Sequence, residues 1–132
     1  MLQMVDEKGL PAGVITDEPR FAYRGFMMDV SRHFFDKEFI KKQMDALAYY
    51  KLNRLHLHLT DAAGWRLEIK KYPRLAEVGS VRRNADGSIH RGFYTQEQIK
   101  EVVAYAAERY ITVIPEVELP GHALAALTAY PE

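Results

Sequence analysis

The fold is decided by the stretch Arg54-Leu55-His56-Leu57-His58-Leu59-Thr60, in which leucine alternates strictly with polar residues. Alternation with a period of two is typical of a β-strand. The leucines are therefore expected on one face of a sheet, and the two histidines and Thr60 on the other. Deep in a strand, a histidine is more often a hydrogen-bonded core residue than a ligand, and this is our interpretation of His56.

One helical pattern precedes this strand and another follows it. Asp36 is expected to cap a helix that runs to about Tyr50, with apolar residues at helical spacing. Thr95 and Gln98 form a capping box at the start of another helix. Short apolar runs and a turn predict three further elements, namely strands over residues 26–30 and 111–117 and a short helix over 122–130.

The resulting order, β-α-β-loop-α-β-α, predicts an α/β fold with parallel strands and right-handed crossovers. Residues 1–20, rich in glycine and proline, are expected to form an irregular lead-in, and residues 21–132 a single folded segment. The connection over residues 61–94 is long, and connections of this length are usually functional.

Composition excludes several classes of function. Lysine plus arginine and aspartate plus glutamate number 18 each, so no net charge draws the chain to nucleic acid or to an anionic membrane. Without cysteine there is no disulfide framework and no thiolate chemistry. No apolar run reaches the roughly 20 residues of a membrane span, and the N-terminus has no signal-peptide core. Either the protein is cytoplasmic or an export signal lies outside this sequence.

Ionisable residues collect where the predicted strands end. In sheets of this class, ligands bind beyond the carboxyl ends of the strands. Each residue also has an ordinary interpretation: Asp61 as a turn cap, His122 as the start of a helix, Trp65 as packing. Convergence from three distant strand ends favours a common site, and its candidate members are Asp29, Ser31, Arg32, His33, His58, Thr60, Asp61, Trp65, Arg66, Glu116, Glu118 and His122.

Four blocks of this sequence resemble glycoside hydrolase family 20, the β-N-acetylhexosaminidases. They keep the order of the family and cover nearly the whole chain from about Phe21. The blocks are Arg24-Gly25 with Asp29-Val30-Ser31-Arg32-His33-Phe34-Phe35; Tyr50-Lys51-Leu52-Asn53-Arg54-Leu55-His56-Leu57-His58-Leu59-Thr60-Asp61 with Gly64-Trp65-Arg66-Leu67-Glu68-Ile69-Lys70-Lys71-Tyr72-Pro73; Phe93-Tyr94-Thr95; and Ile114-Pro115-Glu116-Val117-Glu118-Leu119-Pro120-Gly121-His122-Ala123.

The resemblance implies a (β/α)₈ barrel, of which this chain would supply about three parallel βα units. The family removes terminal N-acetylglucosamine or N-acetylgalactosamine by retaining catalysis, in which the 2-acetamido oxygen of the substrate attacks the anomeric carbon. An aspartate orients that group, and the adjacent glutamate is the general acid in a His-x-Gly-Gly-Asp-Glu type motif. That motif is absent here, so we assign no catalytic residue and expect an inactive fragment.

Three residues carry over from the family by position. Arg24 matches an arginine that grips hydroxyls of the terminal sugar. Asp61 and His122 match a relay pair in which the histidine links the aspartate to the missing glutamate. Glu118 matches an acidic position, and Trp65 is a further candidate for sugar contact. We expect Arg24, Asp61 and His122 to meet at one rim of the sheet.

One departure from the family follows Asp61. Ala62-Ala63 stands where the family commonly has Asp-Gln, which removes a carboxylate and an amide from this segment. The resemblance implies no cofactor and no metal. It implies glycans ending in N-acetylglucosamine or N-acetylgalactosamine as partners of the parent enzyme, which is expected to be secreted, periplasmic or otherwise exported.

Two alternatives remain open at this point. His56 and His58, with Asp61, Glu116 and His122, offer the nitrogen and oxygen ligands of a metal-dependent hydrolase. The other alternative is a non-catalytic role, as a folding unit or as a sugar-binding module in which Trp65 and Arg24 contact a sugar.

A partial barrel leaves strand edges open, so self-association of the chain is expected.

Overall fold

The computed structural model describes residues 4–131, which form a sheet flanked by helices and small hairpins. In chain order the elements are β1 (Gly25–Asp29), α1 (Lys37–Tyr49), β2 (Arg54–His58), β3 (Thr60–Asp61), β4 (Gly64–Trp65), α2 (Arg74–Glu77), β5 (Val81–Arg83), β6 (Ile89–Arg91), α3 (Gln96–Ala107), β7 (Thr112–Glu116) and α4 (Leu124–Ala129).

The central sheet has three parallel strands in the order β1-β2-β7. Its register places Asp29 opposite His58, and His58 opposite Glu116, at the carboxyl ends of the strands. The predicted α/β class with parallel strands is confirmed. Because the strands are in register, the loops that follow them leave from one edge of the sheet.

The leucine face of β2 is covered by α1 and α3. Leu55, Leu57 and Leu59 are almost completely buried in one cluster with residues of both helices. The predicted caps are confirmed: the Asp36 carboxylate accepts a hydrogen bond of 2.8 Å from the Phe39 N–H, and the capping box at the start of α3 is complete. These caps fix where each crossover helix begins, and thereby where the preceding loop ends.

The long connection between β2 and α3 is ordered by small elements of its own. It contains the antiparallel hairpins β3-β4 and β5-β6, with the short helix α2 between them. Trp65, Leu75, Ala125 and Ala129 form a second apolar cluster that joins this connection to α4. The connection therefore packs against the end of the described chain, close to the carboxyl end of the sheet.

The opposite face of the sheet is only partly covered. Met27 on β1 is 53% exposed, and β1 and β7 have no further neighbour in the sheet among residues 4–131. In the same range, no helix has both the length and the apolar character required to cross a membrane.

Candidate functional site

The polar residues at the carboxyl ends of the three strands converge in space, as predicted for Asp61, Glu118 and His122. His58 ends β2, and Glu116 lies opposite it at the end of β7. Asp61 follows in β3, and His122 lies in the loop that leads to α4. We call this group, with Glu118 and Arg32, the rim cluster.

Asp61 is the buried centre of the rim cluster, with 4% of its surface exposed. Its Oδ2 lies 3.0 Å from Nε2 of His58, 2.5 Å from an Nη of Arg32 and 3.8 Å from Nδ1 of His122. Its Oδ1 accepts a hydrogen bond from the backbone N–H of Ala62. A buried carboxylate requires partners of this kind to offset its lost hydration, and Asp61 therefore holds side chains from several segments together.

His58 is equally buried and joins Asp61 to the end of β7. Its Nδ1 lies 3.1 Å from Oε2 of Glu116 and 3.9 Å from Oε1 of Glu118. Burial by itself would lower the pKa of His58, but hydrogen bonds with Asp61 and Glu116 outweigh this effect and raise it.

The two glutamates at the end of β7 are held by further contacts. Oε2 of Glu116 lies 2.6 Å from Nε2 of His56, so His56 has the polar partner that our interpretation required, although a third of its side chain is exposed and it is not a core residue. Hydrogen bonding with Glu118, and then contact with His58, lowers the pKa of Glu116. The Glu118 N–H donates to the hydroxyl of Thr60 at 2.9 Å, and its carboxylate contacts Nδ1 of His122.

The backbone of His122 is held in an uncommon conformation. Its φ is 53°, in the left-handed region that few non-glycine residues adopt. Residues held in such regions cluster at functional sites, where the surrounding structure maintains them. The ring of His122 makes an edge contact with that of His58, with centroids 5.9 Å apart.

Arg32 is the arginine of the rim cluster. Its guanidinium bridges Asp29 at 2.6 Å and Asp61 at 2.5 Å, while 54% of the side chain is exposed. The hydrogen bond to Asp29 is the main reason why the pKa of Arg32 is raised. A guanidinium carries five N–H donors, so these two contacts leave donors that face outward.

Arg24 does not join the rim cluster, and the predicted meeting of Arg24 with Asp61 and His122 is wrong. It immediately precedes β1, and its guanidinium donates to the backbone carbonyls of Lys51 at 2.7 Å and Phe21 at 2.5 Å. Lys51 follows α1 and leads into β2, at the amino end of the sheet. Since a residue before a strand and a residue after it lie at opposite ends, Arg24 is remote from Asp61.

Arg66, one of the candidates that the sequence placed beyond the strand ends, is fully buried. Its guanidinium donates to the carbonyls of Ser31, Ser80 and Gly92, and so ties the long connection to the end of β1. Burial is the largest cause that lowers the pKa of Arg66, to about 10. Next to it, Trp65 is 8% exposed and donates its indole N–H to Leu67, so it serves packing.

Two signals in the sequence could have shown that Arg32, rather than Arg24, and also His56 belong to the polar group at the rim. Arg32 follows a predicted strand whereas Arg24 precedes one, and only the carboxyl end carries ligands in such sheets. His56 shares the non-leucine face with His58 by simple alternation. No local pattern predicts the burial of Arg66, because its three acceptors come from distant segments.

The rim cluster also contains donor sets that suit a metal ion. Two groups, His58 with Asp61 and His122, and His58 with Glu116 and Glu118, place one ligand atom per residue within 4.8 Å of one another. Imidazole nitrogens and carboxylate oxygens are ligands that zinc accepts.

Comparison with known proteins identifies the architecture. Residues 21–132 match the profile described as glycosyl hydrolase family 20, catalytic domain. The chain is 60% identical over 93% of its length to a β-hexosaminidase of Porphyromonas gingivalis, and 54% identical over 95% to one of Akkermansia muciniphila. It spans only 16% and 26% of the lengths of these two relatives.

A solved structure of the same family has a similar fold. The crystal structure of a family 20 exo-β-N-acetylglucosaminidase from Vibrio harveyi, in complex with N-acetylglucosamine, superposes with a TM-score of 0.84 at 46% identity. The match covers 87% of this chain and 19% of that one. The expected fold, part of a (β/α)₈ barrel, is confirmed, and the chain belongs to glycosyl hydrolase family 20, within its catalytic domain.

Proposed function

We propose that this chain forms one part of the catalytic barrel of a β-N-acetylhexosaminidase, a glycosidase that removes terminal N-acetylhexosamine from glycans. The related proteins of P. gingivalis and A. muciniphila are β-hexosaminidases, and the V. harveyi enzyme was crystallised with N-acetylglucosamine. The reaction follows the substrate-assisted retaining course of the family, with the sugar bound at the carboxyl rim.

The observation that carries this proposal is the approach of His122 Nδ1 to within 3.8 Å of the buried Asp61 carboxylate. In the proposed relay, Asp61 and Glu118 hold the Nδ1 side of the His122 ring. Nε2 of His122 then contacts the general-acid glutamate, which the family carries on a later strand, and so links this acid to Asp61. A partner of this kind orients the acid and sets its pKa.

Arg32 takes the role that the sequence assigned to Arg24. A guanidinium presents a planar fork of donors that suits two neighbouring hydroxyls. Asp29 and Asp61 hold Arg32 from the protein side, while about half of the side chain faces solvent. We therefore place the hydroxyls of the terminal sugar against the free N–H groups of Arg32.

On this proposal the chain alone is inactive. Its only Asp-Glu pairs, Asp6-Glu7 and Asp17-Glu18, lie in the lead-in and outside the family motif. Loss of a general acid costs roughly 10²- to 10⁴-fold in rate, and the aspartate that orients the acetamido group is lost as well. The purified chain should release no nitrophenol from p-nitrophenyl N-acetylglucosaminide above the background of a mock purification.

A chimera tests the function itself. Residues 21–132 replace the matching segment of the P. gingivalis β-hexosaminidase, which supplies the rest of the barrel. The chimera should hydrolyse p-nitrophenyl N-acetylglucosaminide with kcat/KM within about tenfold of the parent enzyme, since the segments are 60% identical. His122→Ala in the chimera should lower kcat by roughly 10²-fold.

The parent enzyme and the chimera carrying Lys42→Gln, a change at an exposed position of α1, serve as controls. A folded, soluble chimera without activity would refute the proposed function. Full activity of the His122→Ala chimera would refute the relay while leaving the glycosidase assignment in place.

A further inference from the structure

We propose that the rim cluster binds one divalent transition-metal ion of the zinc type, through Nδ1 of His58 and the carboxylates of Glu116 and Glu118. The proposal stands on the geometry of these side chains and is independent of the glycosidase function. It names a binding site on this chain and assigns no catalytic role to the ion.

Two of the three ligands lie on neighbouring strands in fixed register, and the third follows one of these strands. His58 and Glu116 are directly opposite each other on β2 and β7, and Glu118 follows two residues later. Nδ1 of His58 lies 3.1 Å from Glu116 and 3.9 Å from Glu118. Ligands bound tetrahedrally to zinc lie roughly 3.4 Å from one another, so small side-chain rotations suffice to place all of them around one ion.

The orientation of the His58 ring suits metal binding. Its Nε2 lies 3.0 Å from Oδ2 of the buried Asp61. When a metal ion displaces the Nδ1 proton, a ring whose Nε2–H donates to Asp61 presents the Nδ1 lone pair between the two glutamates. Histidines that bind metals usually donate their other N–H to a carboxylate or carbonyl in this way, and that contact fixes the tautomer and the ring plane.

Contacts with residues outside the proposed ligand set also hold the two glutamates in position. His56 holds Glu116 through a contact of 2.6 Å, and the Glu118 main chain is anchored by its N–H bond of 2.9 Å to the Thr60 hydroxyl. Carboxylates that bind metals are commonly held by such hydrogen bonds. Because these side chains are already ordered, they lose less conformational entropy when an ion binds.

Charge favours this group over the alternative of His58, Asp61 and His122. In that alternative, Oδ2 of Asp61 already lies 2.5 Å from the Arg32 guanidinium, a fixed cation that repels a metal ion. Glu116 and Glu118 together bring two negative charges; they contact each other, and their remaining close contacts are with imidazoles. The site at the end of β7 is therefore the one that attracts a cation.

The test is a titration of the intact chain, freed of metal with a chelator, with zinc chloride in a buffer that does not bind zinc. Calorimetry should show one ion bound per chain, and NMR should show a shift of the His58 Nδ1 resonance. Glu116→Gln and Glu118→Gln should each weaken zinc binding by at least about tenfold, because each removes a charged ligand.

His33→Ala, which removes an exposed histidine outside the rim cluster, is the matched control and should leave the affinity within about threefold. His122→Ala distinguishes the two groups: since His122 also contacts Glu118, it should weaken binding, but by less than Glu118→Gln does. Circular dichroism verifies that every variant is folded. His58→Ala should abolish zinc binding, because it removes the nitrogen ligand. If this variant does not fold, the two glutamate variants decide the matter.

Several results would overturn the proposal. One is the absence of both heat and NMR shifts at millimolar zinc. Another is loss of binding in His122→Ala with retention in Glu116→Gln, which would move the ion to the Asp61 group. Equal affinity in all variants would reveal unspecific binding elsewhere on the chain.

Discussion

Arg24 and Arg32 lie at opposite ends of β1, and their partners differ in kind. Arg24 donates to backbone carbonyls of Lys51 and Phe21, which are neutral. Arg32 pairs with the carboxylates of Asp29 and Asp61, and its hydrogen bonds are stronger because both members of each pair are charged. At the scale of single residues, Arg24 therefore stabilises the backbone at the start of β1, and Arg32 belongs to the candidate site.

This contrast predicts different kinetic effects for two identical substitutions. In the P. gingivalis chimera, Arg32→Ala should raise KM by roughly 10- to 100-fold, because a charged donor to the sugar hydroxyls is lost. Arg24→Ala should lower stability and change KM by less than about twofold. Steady-state kinetics together with thermal unfolding separate the two effects. The reverse pattern, with KM raised only by Arg24→Ala, would restore the original assignment.

Arg66 governs the stability of the long connection. Lysine cannot reach the three carbonyls that the planar guanidinium bonds together, so Arg66→Lys leaves buried acceptors without donors. We expect the free energy of unfolding to fall by about 2–3 kcal/mol, measured by urea denaturation. Arg83→Lys, a change at an exposed arginine of β5, should cost less than about 0.5 kcal/mol. Equal effects at the two positions would contradict this account of Arg66.

At the scale of elements, the helices α1 and α3 are joined by ion pairs as well as by apolar packing. Glu101 on α3 contacts the ammonium groups of Lys37 and Lys41 on α1. Farther along, Asp45 on α1 accepts a bond of 2.7 Å from Arg109, which follows α3. These contacts fix how the crossover helices lie side by side on the leucine face of the sheet.

Glu101 gives this helix pair a pH dependence of defined sign. Hydrogen bonds from Lys37, and then Lys41, lower its pKa from 4.5 to about 2. A carboxylate with a lowered pKa in the folded state stabilises the protein fully above the unfolded value of 4.5. That contribution is lost as the pH falls from there toward 2.

Glu101→Gln should therefore lower Tm by about 2 °C at pH 7, with the difference from the unsubstituted chain shrinking as the pH falls below 4.5. Differential scanning calorimetry across this range is the measurement. Glu18→Gln in the exposed lead-in is the control and should show no such trend. A difference that grows on acidification would mean that the sign is wrong.

At the scale of the whole molecule, the uncovered face of the sheet is the dominant feature. Met27 is 53% exposed on that face, and β1 and β7 keep open edges within residues 4–131. Open edges of a sheet pair readily with other strands. In a closed barrel, further strands would cover both features.

We predict that the purified chain self-associates. Light scattering should give a mass above the monomer value of 15.2 kDa that increases with concentration. Met27→Lys places a charge on the open face and should shift the equilibrium toward the monomer. Val14→Lys, at a 97% exposed position of the lead-in, is the matched control. A monomer at every concentration would show that the exposed face does not drive association.

The sequence by itself determined the three parallel strands, the helices α1, α3 and α4, their order and the class of the fold, but not the hairpins and α2 of the long connection. The alternating leucines predicted a strand over residues 54–60, which the structure forms over 54–58, and Asp36 and Thr95 marked the helix starts, because strand periodicity and caps are local properties. The order of elements then required parallel strands, whose carboxyl ends bring Asp61 and His122 to one rim. The family blocks could likewise be read from the sequence alone.

Only the tertiary structure decided which charged residues share a site. It separated Arg24 from Asp61, brought Arg32 to that carboxylate, joined His56 to Glu116 and gave Arg66 its three carbonyls. Each of these contacts links side chains from distant segments, and its formation depends on strand register and on distances of a few ångströms. Local patterns state where an element begins and which face is apolar. They do not state which charge on one element will face which charge on another, because that is fixed only when the elements pack.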